Sequence, residues 1–248
     1  MATRANALAV MAKAPVAGQV KTRLVPFLEP DQAAKLYASL LVDLATRLRL
    51  FGAADRYLAY APAGARDSLR KLVPKEFNFL AQRGRDLGER MGNVFADLLA
   101  VGHRSVVLIG SDLPVFPLEF LTRAFALLNG RGTDLVLGPN RDGGYYLIGM
   151  RRPVPEVFDG MAWGANSVFR STCDRIRALG LNVSRLPPWL DIDTPADVAA
   201  LSRHIDQLDV KRQRQTMRWF NDWRRGRIPA PRQAPLRSSP RSINPGAL

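Results

Sequence analysis

The chain has 248 residues, 47% apolar and 23% charged, enough material for a substantial core, so wholesale disorder is excluded. No apolar run approaches the roughly 20 residues needed for a helical membrane span, and the single cysteine, Cys173, excludes an intrachain disulfide or a thiolate metal centre. The formal charge of +14 is concentrated late: ten bases and one acid lie from Lys211 onward, leaving 26 bases against 21 acids elsewhere, a balance unremarkable for a soluble enzyme of anionic substrates.

In chain order, strand-like apolar runs fall at 8–12, 56–61, 78–81, 106–110, 134–138, 145–149 and 183–186. Lys13 interrupts the first run before any cleavage-site pattern, so residues 7–12 read as a buried strand and not an export signal. With the unpaired cysteine, this predicts a cytoplasmic protein. Helical patterns fill the gaps at 30–50, 87–101, 117–128, 165–179 and 195–208. The first is the clearest, opening at Pro30 and Asp31 and placing Ala33, Leu36, Tyr37, Leu40, Leu41, Leu44 and Leu48 at helical spacing. Alternation of this kind predicts an α/β domain over residues 1–209, with a mainly parallel sheet covered by helices on both faces.

Residues 210–225 read as a basic aromatic helix, with Trp219, Phe220 and Trp223 among arginines. It suits an RNA or membrane surface, or it docks on the globular domain or a second subunit. Residues 226–248, rich in Pro, Ser and Arg, are expected to be disordered.

Ligands of open parallel sheets bind beyond the carboxyl ends of the strands, and four unusual clusters fall there. Residues 11–23, MAKAPVAGQVKTR, place Gly18 and the cations Lys13, Lys21 and Arg23 directly after the first strand. They read as a phosphate-binding loop, although neither GxGxxG nor the contiguous Gly-Lys-Thr of a P-loop is present; a solvated basic loop is the competing reading. Residues 106–114, VVLIGSDLP, carry Asp112 at the end of a buried strand, where an ionised carboxylate needs a cation or metal beside it. Ser111 and Pro117 are placed to cap the following helix, which leaves Asp112 available.

Residues 138–146, GPNRDGGYY, contain Arg141, Asp142, Gly143 and Gly144. This is either a ligand crossing that needs small residues or a hairpin turn that exposes Arg141 and Asp142. Residues 189–197, WLDIDTPAD, place Asp191 and Asp193 on alternate positions of an extended segment, so both point the same way, as a divalent-cation site needs. Asp193 or Thr194 is also well placed to cap the helix that opens at Pro195. A lesser cluster, QRGRDLGERM at 82–91, offers Arg83 and Arg90 to an anionic or sugar-like ligand, or to solvent.

Together, KAPVAGQVKTRL, QRGRDLGERM, LIGSDLP, GPNRDGGYYLIGM and LDIDTPADV resemble, in order, the glycosyltransferase-A-like enzymes known as radical-SAM/selenodomain-associated transferases, some of them called arsenosugar-biosynthesis glycosyltransferases. The resemblance runs from about Leu8 to Leu201, and single motifs also resemble the phospholactate and molybdenum-cofactor guanylyltransferases.

It implies a Rossmann-like nucleotide-diphospho-sugar transferase (GT-A) fold, with Lys13, Gly18, Lys21 and Arg23 near phosphates. Asp112 and Asp193 would be catalytic ligands of Mg²⁺ or Mn²⁺, with Asp191 a further candidate. Arg83, Arg90, Arg141, Asp142, Gly143, Gly144 and Trp163 would line the substrate. Residues 161–167, MAWGANS, match the family's tryptophan-glycine turn, but Asn166 stands where an acid is expected.

The implied reaction joins a nucleotide-sugar donor to a small acceptor and releases a nucleoside diphosphate. A nucleotidyltransferase releasing pyrophosphate, or a non-catalytic adaptor binding nucleic acid or membrane through the basic tail, are the alternatives.

Overall fold

A computed structural model describes residues 4–25, 27–204 and 214–226. The predicted helix beyond residue 204, the side chain of His204 and the tail after Gly226 lie outside the described residues. Seven strands form one sheet in the order β3-β2-β1-β4-β6-β5-β7, where β1 is Asn6–Lys13, β2 Asp55–Ala61, β3 Asn78–Ala81, β4 Ser105–Gly110, β5 Leu135–Pro139, β6 Tyr145–Met150 and β7 Val183–Arg185. All neighbours pair in parallel except β6, which runs against both β4 and β5. A five-residue link from β5 to β6 is too short for a parallel crossover and forces the reversal. Residues 140–144 therefore turn as a hairpin, with the Asn140 amide donating to the Gly144 carbonyl at 2.9 Å.

Side chains alternate across the sheet: Leu8, Val10 and Ala12 enter one core layer, while Ala7 and Ala9 enter the other. The first layer is covered by α1 (Pro30–Leu48), α2 (Arg66–Arg70) and α4 (Leu118–Asn129). The second is covered by α3 (Leu87–Ala100) and α5 (Val168–Ala178). α1 starts where proline fixes the first turn and Glu29 and Gln32 form a reciprocal capping box. Among the described residues no helix is long and apolar enough to cross a membrane.

Two later helices follow among the described residues: α6 (Pro195–His204) and α7 (Arg214–Arg224). The aromatic face of α7 turns inward. Trp219 is 5% and Phe220 0% exposed, and both join Leu24, Leu28, Leu36, Leu40, Ile192, Val198 and Leu201 in a third apolar cluster. Asp43, buried in the middle of α1, accepts hydrogen bonds from the backbone amides of Gln215 at 3.1 Å and Thr216 at 2.8 Å. It thereby satisfies two of the donors that the first turn of a helix leaves unpaired. Burial raises the Asp43 carboxyl above its ordinary value, against the lowering effect of these hydrogen bonds.

Chain order along the sheet reverses between β1 and β4, because β2 and β3 lie on one side of β1 and β4 on the other. That crevice is where an α/β sheet offers loop ends to a ligand.

Candidate functional site

Two loops leave the sheet at this crevice, since Met11 on β1 is in register with Gly110 on β4. Tyr37 of α1 ties them together: its hydroxyl accepts from the Lys13 amide at 2.9 Å and shares a hydrogen bond with Ser111 Oγ at 2.8 Å. Ser111 is thus spent on Tyr37 and not on capping α4, which opens at Pro117 without a side-chain cap.

The loop after β1 brings Lys21 back over the strand ends in a left-handed backbone conformation, φ 51°. A non-glycine residue held there carries strain of about 1–3 kcal/mol and persists only where its surroundings fix it. What fixes Lys21 is a pair of acids. Its ammonium, on a side chain only 3% exposed, bonds Asp112 Oδ2 from the end of β4 and lies 3.4 Å from Asp193 Oδ1. Burial opposes the charge on Lys21, but Asp112 and Asp193 outweigh it and hold the ammonium above the ordinary lysine value. Arg23 adds a second tie, donating to Asp193 Oδ2 at 2.7 Å and to the Gly164 carbonyl at 3.1 Å.

Asp193 is free for this role because the helix cap is made by its neighbours. Thr194 and Asp197 exchange hydrogen bonds at the start of α6, and Asp197 Oδ2 also accepts the Asp193 amide. Asp191 faces a different partner, accepting from Asn140 Nδ2 at 3.0 Å. Burial, together with the nearby Asp112, Asp142 and Asp193 charges, pushes its carboxyl up to about 7. Among the described residues no three acidic, histidine or cysteine side chains close on one metal position. The oxygen donors that converge are the pair Asp112 and Asp193.

Lys13, Lys21, Arg23, Asp112 and Asp193 line a single cavity of about 380 Å³, whose floor and walls include Met11, Tyr37, Met91 and Tyr145. Gly18 sits in the same loop at φ 76°, with open space where a side chain would project. Arg90 stands at an adjoining hollow with Lys13, Gln19 and Pro62. Arg83 is not brought in: it pairs with Asp97 at 2.5 Å. Arg141 and Asp142 are exposed at the hairpin and line a second cavity with Asp191 and Asp193. Trp163 packs beside Phe158.

Gly143 holds that region together. At φ 92° its missing side chain leaves room for the backbone of Asn166, whose carbonyl oxygen would lie 1.9 Å from an added Cβ. Asn166 therefore serves here through its main chain, and the 161–167 segment is held so that Gly164 reaches Arg23. Gly143→Ala is expected to cost at least about 2 kcal/mol, from the φ penalty and the displaced segment. Thermal melting would register that loss, and a matching fall in ligand affinity would mark the broken Arg23–Gly164 contact.

Sequence reasoning did not single out Tyr37, Asn140 or Asp43 as working residues, and gave Ser111 a capping role in place of its bond to Tyr37. Tyr37 and Asp43 carry polar groups within the helical positions that face the core of α1, which is the signal that was available.

A family described as "Uncharacterized protein conserved in bacteria (DUF2064)" matches residues 44–165. A crystal structure from Desulfovibrio desulfuricans G20, provisionally described as a nucleotide-diphospho-sugar transferase, is 33% identical, covering 89% of this chain and 98% of its own, with a TM-score of 0.78. A cytidylyltransferase from Leptospira borgpetersenii is similar in fold at 11% identity, 90% and 95% coverage and a TM-score of 0.54. A 4-diphosphocytidyl-2C-methyl-D-erythritol synthase from Anaerococcus prevotii is similar at 11% identity, 82% and 97% coverage and a TM-score of 0.53. A search of curated protein sequences gives no significant match.

Proposed function

The chain belongs to the family of the Desulfovibrio desulfuricans protein, and from that premise we propose that it is a glycosyltransferase taking a nucleotide-sugar donor and releasing a nucleoside diphosphate. The observation that carries the reading is the buried Lys21 ammonium shared by Asp112 and Asp193 at the mouth of a basic loop. A departing nucleoside diphosphate gathers negative charge on its terminal phosphate, and fixed cations placed where charge develops are the largest catalytic contribution a protein makes to such a step. Lys13, Lys21 and Arg23 supply them from one loop. The motifs that resemble the radical-SAM-associated and arsenosugar-forming transferases support that narrower placement.

Mg²⁺ or Mn²⁺ is part of the proposal. A hard cation that keeps several waters needs only one or two carboxylates, and Asp112 and Asp193, converging on one ammonium, fit that donor set. When bound, the ion would share neutralisation of the phosphates with the lysines. Asp191, engaged with Asn140, is assigned no place in that pair.

Product analysis tests the reaction class: a nucleoside diphosphate supports this reading, whereas pyrophosphate assigns the site to nucleotidyl transfer. Calorimetry tests the loop. Lys21→Ala removes the ammonium and takes from Asp112 the cation beside the phosphate position, while Asp193 keeps Arg23, so nucleoside-diphosphate affinity is expected to fall by about a hundredfold or more. Equal affinity in variant and parent would remove the phosphate assignment.

A further inference from the structure

A second cavity, of about 470 Å³, adjoins the first at Asp193. It shares Arg23 and Asp193 with the donor cavity, so a molecule seated there meets the first site at the Asp193 carboxylate. Its volume lies in the range of pockets that take small ligands. Its wall is built from Pro114, Val115, Trp189, Leu190, Ala200 and Leu201.

Two features fix that wall. The Trp189 indole N–H donates to the Pro114 carbonyl at 3.2 Å, and the ring abuts Phe120 edge-on at 5.7 Å, so its polar atom is consumed and carbon surface is what it offers. Val115, a β-branched residue, is held at φ 53°, a conformation that persists only where the surrounding packing dictates it.

The charged lining is lopsided. Four aspartates, Asp142, Asp191, Asp193 and Asp197, stand against two arginines, and Arg23 is already engaged by Asp193. Asp197 is occupied by the start of α6, Asp191 Oδ2 accepts from Asn140 and Asp142 Oδ1 accepts the Gly144 amide, which leaves the second oxygens of Asp142 and Asp191 beside Arg141 as the polar groups set against the apolar wall. Carboxylates accept hydrogen bonds from hydroxyls but repel phosphate, and like charges brought together across a binding surface cost several kcal/mol.

We propose that this pocket is the acceptor subsite and that it takes an uncharged, hydroxyl-bearing molecule with an apolar face, of the kind a glycoside presents, and discriminates against phosphorylated acceptors. The proposal rests on the transferase reading above and narrows it. An aromatic surface with acidic groups at its edge matches a sugar ring, which pairs apolar C–H faces with equatorial hydroxyl donors. A nucleotidyltransferase with a phosphorylated acceptor would need the opposite sign of charge here.

The test uses the full chain and two probes that differ by one phosphate group, phenyl β-D-glucopyranoside and its 6-phosphate, followed by saturation-transfer NMR. The neutral glucoside is expected to bind at least about tenfold more tightly, and to bind alongside UDP or GDP without displacing it. Ala200→Trp fills the cavity from α6 and should abolish the glucoside signal, while nucleoside-diphosphate affinity measured on the same variant stays within about twofold of the parent, which also establishes its fold. Asp142→Arg should narrow or reverse the preference between the probes.

Tighter binding of the 6-phosphate to the parent chain, displacement of the glucoside by nucleoside diphosphate, or a glucoside signal that survives Ala200→Trp would each overturn the proposal. Loss of the transferase reading is read separately: if no nucleoside diphosphate binds while the glucoside still does, the donor assignment fails and this pocket stands.

Discussion

Asp112→Asn is expected to lower transfer by about a thousandfold or more while the melting temperature stays close to the parent's. The reason for both halves lies in the ion-pair arrangement. Asn preserves the shape of a side chain that is 23% exposed at the end of β4 and removes only its charge. Lys21 keeps Asp193, so no buried ammonium is stranded and the loop keeps its course. What disappears is one of the two anionic oxygens available to a divalent ion and one of the two charges that aim Lys21. Initial rates with a verified donor, read beside a melting curve, check the prediction. Unchanged turnover would contradict it.

Phe220→Ala carries the largest expected loss of stability. The ring is fully buried in the cluster that joins α7 to α1 and α6, and such a truncation costs about 3–5 kcal/mol. For a protein of this size that lowers the melting temperature by roughly 10 °C.

The effect should reach the site. Leu24 follows the phosphate loop and Ile192 precedes Asp193, and both belong to the same cluster. Nucleoside-diphosphate affinity should therefore fall with stability, although Phe220 lines neither cavity. A destabilised variant with parental affinity would show that α7 is mere packing.

The location of α7 also changes how the basic tail should be probed. A truncation from Lys211 suggests itself from composition, but it would remove Trp219 and Phe220 from the core and leave Asp43 buried without the amides of Gln215 and Thr216. Salt-sensitive binding by the tail has to be sought with a truncation that begins after Gly226.

The strands and the loops that follow them were legible because their signals are local. Apolar runs name the strands, and cations or acids placed directly after them name the site. Asp112 and Asp193 were paired through the family resemblance, yet the residue between them, Lys21, could be read only as a phosphate ligand. Its bridge to both acids goes with a left-handed turn, which no spacing rule reveals for a lysine.

The reversal of β6 was left open as one of two readings of residues 138–146, because a ligand crossing and a hairpin share the same glycines. For residues 210–225, arginines and tryptophans serve membranes, RNA and cores alike. The decision lay in the complementary surface, where Asp43 waits at the start of α7 and Leu24, Leu28 and Leu36 meet its rings. Gly143 is the same lesson in reverse: the turn was visible, but the backbone of Asn166 that needs the space comes from twenty-three residues away.

Crystals of the full chain grown with Mn²⁺ and a nucleoside diphosphate, with the manganese located by its anomalous scattering, test the central claim most directly. The account predicts one ion bonded to oxygens of both Asp112 and Asp193, with the phosphates against Lys13, Lys21 and Arg23. Manganese bound away from that pair, or phosphates seated elsewhere in the molecule, would contradict it.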